Sequence, residues 1–402
     1  MTGKPISLAY FVTHPIQYQA PLLRMIAAEP SINLKVFFAA DYSLTRHFDP
    51  GFGREIEWDV DLTDGYDYEI LPALNPETPL SALHPISYGI FWRILTGGFD
   101  AIWCHSYARP SHMMAILAAR LSGKKVFLRD EDNLYSSDPP PARAFIKKCL
   151  LQIVKRLVHG VLTIGKMNRE FYASHGFPDR KLFSMPYAVD NDWFKTRIAE
   201  AMPRQGTLRR ELGIAPDQPV ILFAAKFQPR KRGDDLIRAF HRIATDGTSK
   251  NACLVMVGDG EMDDAWRGLA GEALGKRIHF VGFKGMLELP AYFDLCDVFV
   301  IPSALEPWGL VLNEVLNAGK PIIATDQVGS AYDLVEHGKN GFMLETGNID
   351  QLSNALRKII ADPVAAQKMG THSLELIRDW SFTQDIEGLK SALRSYFPER
   401  VS

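Results

Sequence analysis

Short, nearly continuous apolar runs alternate with longer amphipathic segments through most of the 402-residue chain. In the first half the runs are ISLAYFV, INLKVFFAA, FDAIWCHS, KKVFLRD and GVLTIG, each rich in β-branched or aromatic residues. Strands buried on both faces of a parallel sheet have this character. Between them lie segments of helical period such as RPSHMMAILAARLSG, which ends on Gly123, a residue suited to a helix C-cap. From 182 to 219 the pattern loosens, with scattered Pro and Gly. It restarts at PVILFAAK and continues through ACLVMVGD, RIHFVGF, DVFVIPS, KPIIATDQ and GFMLET. Two successive βα arrays predict an α/β protein of two Rossmann-like domains facing each other across a cleft. The expected boundaries are an N-terminal domain over 1–195, a linker over 196–218, a C-terminal domain over 219–378 and a terminal helix within 379–402.

Composition narrows the function classes. An apolar fraction of 47% with 23% charged residues is that of a soluble globular enzyme. A net charge of −2 provides no basic field for nucleic acid. Cys104, Cys149, Cys253 and Cys296 are far apart and form no C-x-x-C pair, which argues against a zinc site or a disulfide framework and fits a reducing cytoplasm. The opening ISLAYFV stops at Thr13-His14-Pro15 without a small-residue cleavage site, so it reads as a first strand. No apolar stretch approaches the roughly 18 residues of a spanning helix.

In open parallel sheets ligands gather beyond the carboxyl ends of the strands. There, DVFVIPS is a strand, SALEPW its loop, GLVLNEVLNAG a helix closed by Gly319, and KPIIATDQ the next strand. Glu306 lies in the loop, and Glu314 sits roughly 7–8 Å along the helix axis from Gly309. The helix start offers N–H groups at Gly309, Leu310 and Val311 and a positive dipole end, which suit a phosphate. Glu314 is placed to accept from the two hydroxyls of an attached ribose, and Glu306 to face the other side of the phosphate. Two solvated glutamates are the plainer alternative, but glutamate is a poor capping residue before a Pro-Trp-Gly break. After PVILFAAK, the seven residues from Lys226 carry Lys226, Arg230, Lys231 and Arg232. Lys226 and Lys231 suit a diphosphate and its stabilisation as a leaving group, while Arg230 and Arg232 read as a solvated turn.

KFQPRKRGDDLIRAF, VMVGDGE, IHFVGF, PSALEPWGLVLNEVLNAGKPIIAT and NGFML occur in the order and spacing of glycosyltransferase family 4. Over most of 219–346 the chain resembles these retaining GT-B glycosyltransferases. The resemblance implies that Lys226 (where arginine is commoner) and Lys231 bind the donor diphosphate. It also implies that Glu306 contacts the donor sugar, that Glu314 holds the ribose, and that Val281, Gly282 and Phe283 receive the nucleobase. The N-terminal half departs from the family's signatures. Where many members have a Gly-Gly loop, this chain has VTHPIQYQ, whose His14, Gln17 and Tyr18 are candidates for an acceptor site. Where a histidine often stands, it has Arg129, Asp130 and Glu131, of which Arg129 and Asp130 are further acceptor candidates. His14, His105 and Glu131 are the catalytic candidates of this half.

The implied activity is transfer of a sugar from a UDP- or GDP-sugar to a glycan, lipid-linked or small-molecule acceptor, in cell-surface polysaccharide or glycoconjugate synthesis. It requires no metal and no other cofactor, and the last helix is expected to pack back on the N-terminal domain. Two alternatives stand beside it: a sugar-nucleotide epimerase of the same fold, and a non-enzymatic two-lobed sugar-binding protein.

Other motifs carry less. VGDGEM has Asp263 where the dinucleotide fingerprint needs a third glycine, and no Walker A loop, H-E-x-x-H or G-x-S-x-G occurs. Asp59-Val60-Asp61 and Asp130-Glu131-Asp132 match D-x-D, a pattern short enough to arise by chance. In 142–158, Arg143, Lys147, Lys148, Lys155 and Arg156 oppose Phe145, Cys149, Leu150, Ile153, Val154 and Leu157. The simpler expectation is an outer helix packed on the sheet. For a lipid-linked acceptor the same helix is the place for peripheral contact with an anionic membrane face.

Overall fold

The computed structural model describes residues 4–49, 51–74, 84–135, 140–245, 251–274 and 276–401. It divides into two compact units, the first of Met1–His47, Val60–Tyr187 and Phe382–Ser402, the second of Phe48–Asp59 and Ala188–Ser381.

The chain begins with β1 (Ile6–Val12), α1 (Ala20–Ala27) and β2 (Ile32–Phe38), then a short pair, β3 (His47–Asp49) and β4 (Arg54–Ile56). β5 (Asp67–Ile70), β6 (Ala73–Leu74), β7 (Ile86–Ser87), α2 (Gly89–Thr96), β8 (Ala101–His105) and α3 (Pro110–Leu121) follow. β9 (Lys125–Arg129), α4 (Pro141–Leu157), β10 (Gly160–Thr163), α5 (Lys166–Ser174) and β11 (Leu182–Ser184) complete this stretch. The sheet of the first unit is parallel, in the order β11-β10-β9-β8-β1-β2-β5.

Residues 188–218, read in part as a linker, fold as α6 (Asn191–Ala201) and α7 (Gln205–Glu211) within the second unit. Asp190 caps α6 by accepting from the Trp193 N–H at 2.9 Å. The Asn191 amide donates to the Ile377 and Trp380 carbonyls, which fixes this start against the end of the unit. Then come β12 (Val220–Ala224), α8 (Gly233–Thr245), β13 (Cys253–Val257), α9 (Asp263–Leu274), β14 (Ile278–Gly282), α10 (Leu289–Leu295) and β15 (Val298–Ile301). α11 (Val311–Leu316), β16 (Ile322–Thr325), α12 (Ala331–Leu334), β17 (Gly341–Leu344), α13 (Ile349–Ala361) and α14 (Pro363–Ile377) close the unit. Its parallel sheet runs β14-β13-β12-β15-β16-β17. Strand order reverses between β12 and β15, the place where such sheets leave a crevice for ligands.

The central strands are buried on both faces, which is why they are apolar without alternation: all residues of β12, β13, β15 and β16 are buried. The last helix, α15 (Phe382–Arg394), belongs to the first unit and lies close on β11. A Cβ at Gly388 would meet the Ser184 carbonyl oxygen at 2.0 Å, so glycine sets that approach. Only part of the apolar side of α4 packs inward: Leu151 and Val154 are buried, whereas Phe145, Ile146 and Ile153 are exposed. Among the described residues no helix is long and apolar enough to cross a membrane.

Candidate functional site

In the second unit a cavity of about 170 Å³ opens beyond β12, β13 and β14, lined among others by Lys226, Gly258, Phe283, Val311 and Glu314. Segments far apart in sequence meet here because parallel strands send their carboxyl ends to one edge. Lys226, two residues past β12, binds both carboxylate oxygens of Asp49, at 2.9 and 2.8 Å, and lies 4.5 Å above the Phe52 ring. Burial raises the Asp49 carboxyl, but the Lys226 ammonium and the N–H groups of Gly51 and Phe52 outweigh it and hold the group below its usual range. Phe52 packs edge-on against Phe283, with ring centroids 4.7 Å apart. The glycines of VGDGEM serve close packing in the neighbouring loop. A Cβ at Gly258 (φ +141°) would meet the Ala225 carbonyl oxygen at 1.9 Å.

Glu314, in the first turn of its short helix, is partly open to the cavity, and burial alone pushes its carboxyl up to about 7. Glu306 and Gly309 lie beside this helix but not on the cavity wall. Glu306 takes the Lys231 ammonium on one carboxylate oxygen, with the Arg230 guanidinium 3.5 Å from the same atom. Burial lowers the Lys231 pKa, and Glu306 opposes the shift. Arg230, its side chain partly exposed, also donates to the Leu305 carbonyl at 2.9 Å, so it ties the Lys231 turn to the Glu306 loop. Arg232 pairs locally with Asp235. Gly309 has φ +92°, and an added Cβ would lie 3.0–3.2 Å from Val328, Glu306 and Ser330. The Trp308 indole donates to Asn313 at 2.9 Å and packs on Trp380, fixing the Pro-Trp-Gly break. Leu310 caps α11 and Val311 opens it, so their N–H groups are among those a helix cannot satisfy internally. Gly282 (φ +73°) ends β14 beside Val281 at a register shift, and Phe283 follows it into the cavity.

In the first unit the carboxyl ends of β1, β8 and β9 bring a second group together. Glu131 accepts from the Tyr187 hydroxyl at 3.0 Å and the Tyr18 hydroxyl at 3.3 Å. The Tyr187 hydroxyl also lies 3.3 Å from His105 Nε2, and the two rings are parallel. The Gln19 amide nitrogen lies 3.4 Å from both ring nitrogens of His105, and its oxygen accepts from the Tyr10 hydroxyl at 2.7 Å. Burial, then the Arg129 charge, keeps His105 well below the usual histidine range. His14, 2.9 Å from the Thr13 hydroxyl, is lowered to about 4 by burial, then by Arg109 and His47. Gln17 is partly exposed in the turn between β1 and α1. Ser106, directly after His105, has φ +106°, a strained backbone for a non-glycine residue.

Two acceptor candidates are committed to the interior instead. The Arg129 guanidinium, 1% exposed, bonds Asp385 at 3.1 Å and the carbonyls of Met185 and Pro186, and lies over the Tyr187 ring. Asp130 accepts from Tyr172 and Asn168, and burial together with Asp132 pushes it up to about 8. Of the three, only Glu131, two residues past the end of β9, is not buried. Sequence reasoning missed Asp49, Phe52 and Tyr187; nothing local marks them, because each acts through a partner over 50 residues away.

Residues 204–375 match the family described as Glycosyl transferases group 1. The chain is 30% identical over 205 residues to an uncharacterized glycosyltransferase of Methanocaldococcus jannaschii, covering 50% of this chain and 51% of the relative. It is 29% identical over 238 residues to the GDP-mannose-dependent alpha-(1-6)-phosphatidylinositol monomannoside mannosyltransferase of Mycobacterium tuberculosis, covering 56% and 59%. The match thus spans between half and three-fifths of the length of these relatives. The crystal structure of Anabaena HepE in complex with UDP and glucose superposes with a TM-score of 0.70 at 18% identity, covering 97% of this chain and 100% of that one. The chain has the GT-B fold, and its residues 204–375 match the model of the Glycosyl transferases group 1 family.

Proposed function

We propose that the protein is a retaining glycosyltransferase that moves a sugar from a UDP- or GDP-sugar to a glycan, lipid-linked or small-molecule acceptor at the cytoplasmic face, in cell-surface glycoconjugate synthesis. The observation that carries this reading is the convergence of Lys226, Phe283 and Glu314 on one cavity, with the Lys231–Glu306 pair on the adjoining turn. In it, Lys226 and Lys231 meet the diphosphate, the N–H groups from Gly309 to Val311 add donors, Glu314 accepts from the ribose and Glu306 faces the sugar. Val281 to Phe283 receive the base. The similar proteins support a nucleotide-sugar donor: one is GDP-mannose-dependent, and HepE was crystallised with UDP and glucose.

Cationic side chains around a diphosphate stabilise charge that grows as the glycosidic bond breaks, so they act mainly in the transition state. Departure of the nucleoside diphosphate is the step they assist, and the acceptor hydroxyl attacks from the face it leaves. Glu131 and His105, held by Tyr187, are the groups of the first unit assigned to that hydroxyl. The test is a thermal-shift screen of UDP, GDP, ADP and their sugars, followed by donor turnover with Lys231→Ala. Stabilisation by one nucleotide class and loss of turnover in the variant are expected. Full turnover in the variant would overturn the assignment.

A further inference from the structure

Helix α4 has 17 residues and carries apolar side chains on its outer side as well as its inner one. Its inner side is anchored by Leu151 and Val154, both buried. Its outer side presents Phe145 (67% exposed), Ile146 (64%) and Ile153 (49%), with Cys149 between them. At helical spacing these four residues form one stripe. Single exposed apolar side chains are ordinary, whereas a contiguous stripe marks a surface that something covers. α3, which packs against α4, also exposes Leu117 and Leu121, the latter 73% exposed.

The charge around the stripe says what covers it. Between Pro141 and Leu157 there are five basic residues and no acidic one. Lys147 is engaged by Asp132, and Lys155 reaches the His175 carbonyl. Arg143, Lys148 and Arg156 are exposed and border the apolar stripe. A second copy of the same face, brought against it by a two-fold axis, would set cations against cations. A bilayer with anionic headgroups satisfies both features, because apolar side chains enter the acyl boundary while the cations meet phosphates.

We propose that the outer face of α4 is a docking surface for an anionic lipid bilayer, with Phe145, Ile146 and Ile153 inserted and Arg143, Lys148 and Arg156 at the headgroups. All of these residues belong to the first unit, so the proposal stands or falls apart from the donor site of the second.

The experiment is flotation of the full chain with phosphatidylcholine vesicles, with and without phosphatidylglycerol, at low and high salt. Expected are binding that requires the anionic lipid, release by salt, and a loss of about tenfold or more in each of two variants, Phe145→Ser/Ile153→Ser and Arg143→Glu/Lys148→Glu/Arg156→Glu. In a Phe145→Trp variant the emission of the new indole should shift to the blue on adding anionic vesicles. An unchanged thermal shift with nucleotide would show that the variants are folded. No association with anionic vesicles, or equal association of the charge-reversed variant, overturns the proposal. So does a concentration-dependent dimer that Phe145→Ser/Ile153→Ser abolishes, since the face would then be a contact between copies.

Discussion

The Lys226 ammonium is held by both oxygens of Asp49, with the Phe52 ring 4.5 Å away. A lysine offered to a diphosphate is thus already neutralised by a carboxylate of its own unit, and an incoming phosphate must compete with it. Asp49→Asn removes the competitor and keeps the shape. Nucleotide affinity should rise by about fivefold at low salt, the scale of a partly exposed ion pair, with the gain shrinking as salt is added. Calorimetric titration at two ionic strengths measures this. Unchanged or weaker binding would mean that Asp49 holds Lys226 in place for the ligand and does not compete with it.

Glu314 supplies a test with a pH sign. Burial raises its carboxyl from the ordinary 4.5 to about 7, so the folded protein binds a proton that the unfolded chain releases at lower pH. Stability from this group therefore falls as pH rises from about 4.5 through 7. Glu314→Gln removes the cost, which is on the order of 2 kcal/mol above pH 7 once partial exposure to the cavity is allowed for. The variant should melt a few degrees higher than wild type at pH 8 and equally at pH 4.5, yet bind nucleotide more weakly at both. A variant no more stable at pH 8 would show that the carboxylate is well solvated where it stands.

How far the sequence discloses this site depends on how local each feature is. Both buried parallel sheets are legible from uninterrupted apolar runs, and the 306–314 loop-to-helix turn from its Pro-Trp-Gly break. Tyr187 is a different case, because only the fold brings its hydroxyl to Glu131 and His105. Arg129 misleads for a related reason. A charge at the end of a strand reads as exposed, and its buried partner Asp385 is 256 positions away. The stretch 188–218 hides its helices because their apolar faces are narrow: α6 buries Phe194 and Ile198, and α7 no residue fully.

The Lys231–Glu306 pair predicts a split between binding and turnover. In the proposed reaction Lys231→Ala removes a cation at the leaving group, and kcat should fall on the order of 10²-fold. Glu306→Gln leaves the ammonium but strips away the group that opposes its desolvation, so the Lys231 pKa falls further. The proposed reaction needs this lysine protonated, so the basic limb of the kcat–pH profile should move to lower pH in Glu306→Gln. Profiles of wild type and variant with one donor measure the shift. Coincident basic limbs would remove Lys231 from the transition state.

Arg129 and Asp385 make a buried pair that ties α15 to β9, both side chains at most 2% exposed. Removing one partner strands the other charge inside the protein, and Asp385→Ala should lower stability by about 3–5 kcal/mol. The pair need not be a net stabiliser for that to hold. Burial pushes the Asp385 carboxyl from 3.8 up to about 6 even with Arg129 in contact, so the fold prefers the protonated form. Its contribution to stability therefore declines as pH rises from about 4 to 6. A double replacement, Arg129→Met with Asp385→Leu, fills the same space without charge. It should be within about 1–2 kcal/mol of wild type at pH 7 and lose that part of the pH slope. Urea unfolding of the three proteins at pH 4.5 and 7 decides the matter. A double variant as unstable as Asp385→Ala would mean that the hydrogen bonds of Arg129 to Met185 and Pro186, and not the ion pair, hold the last helix in place.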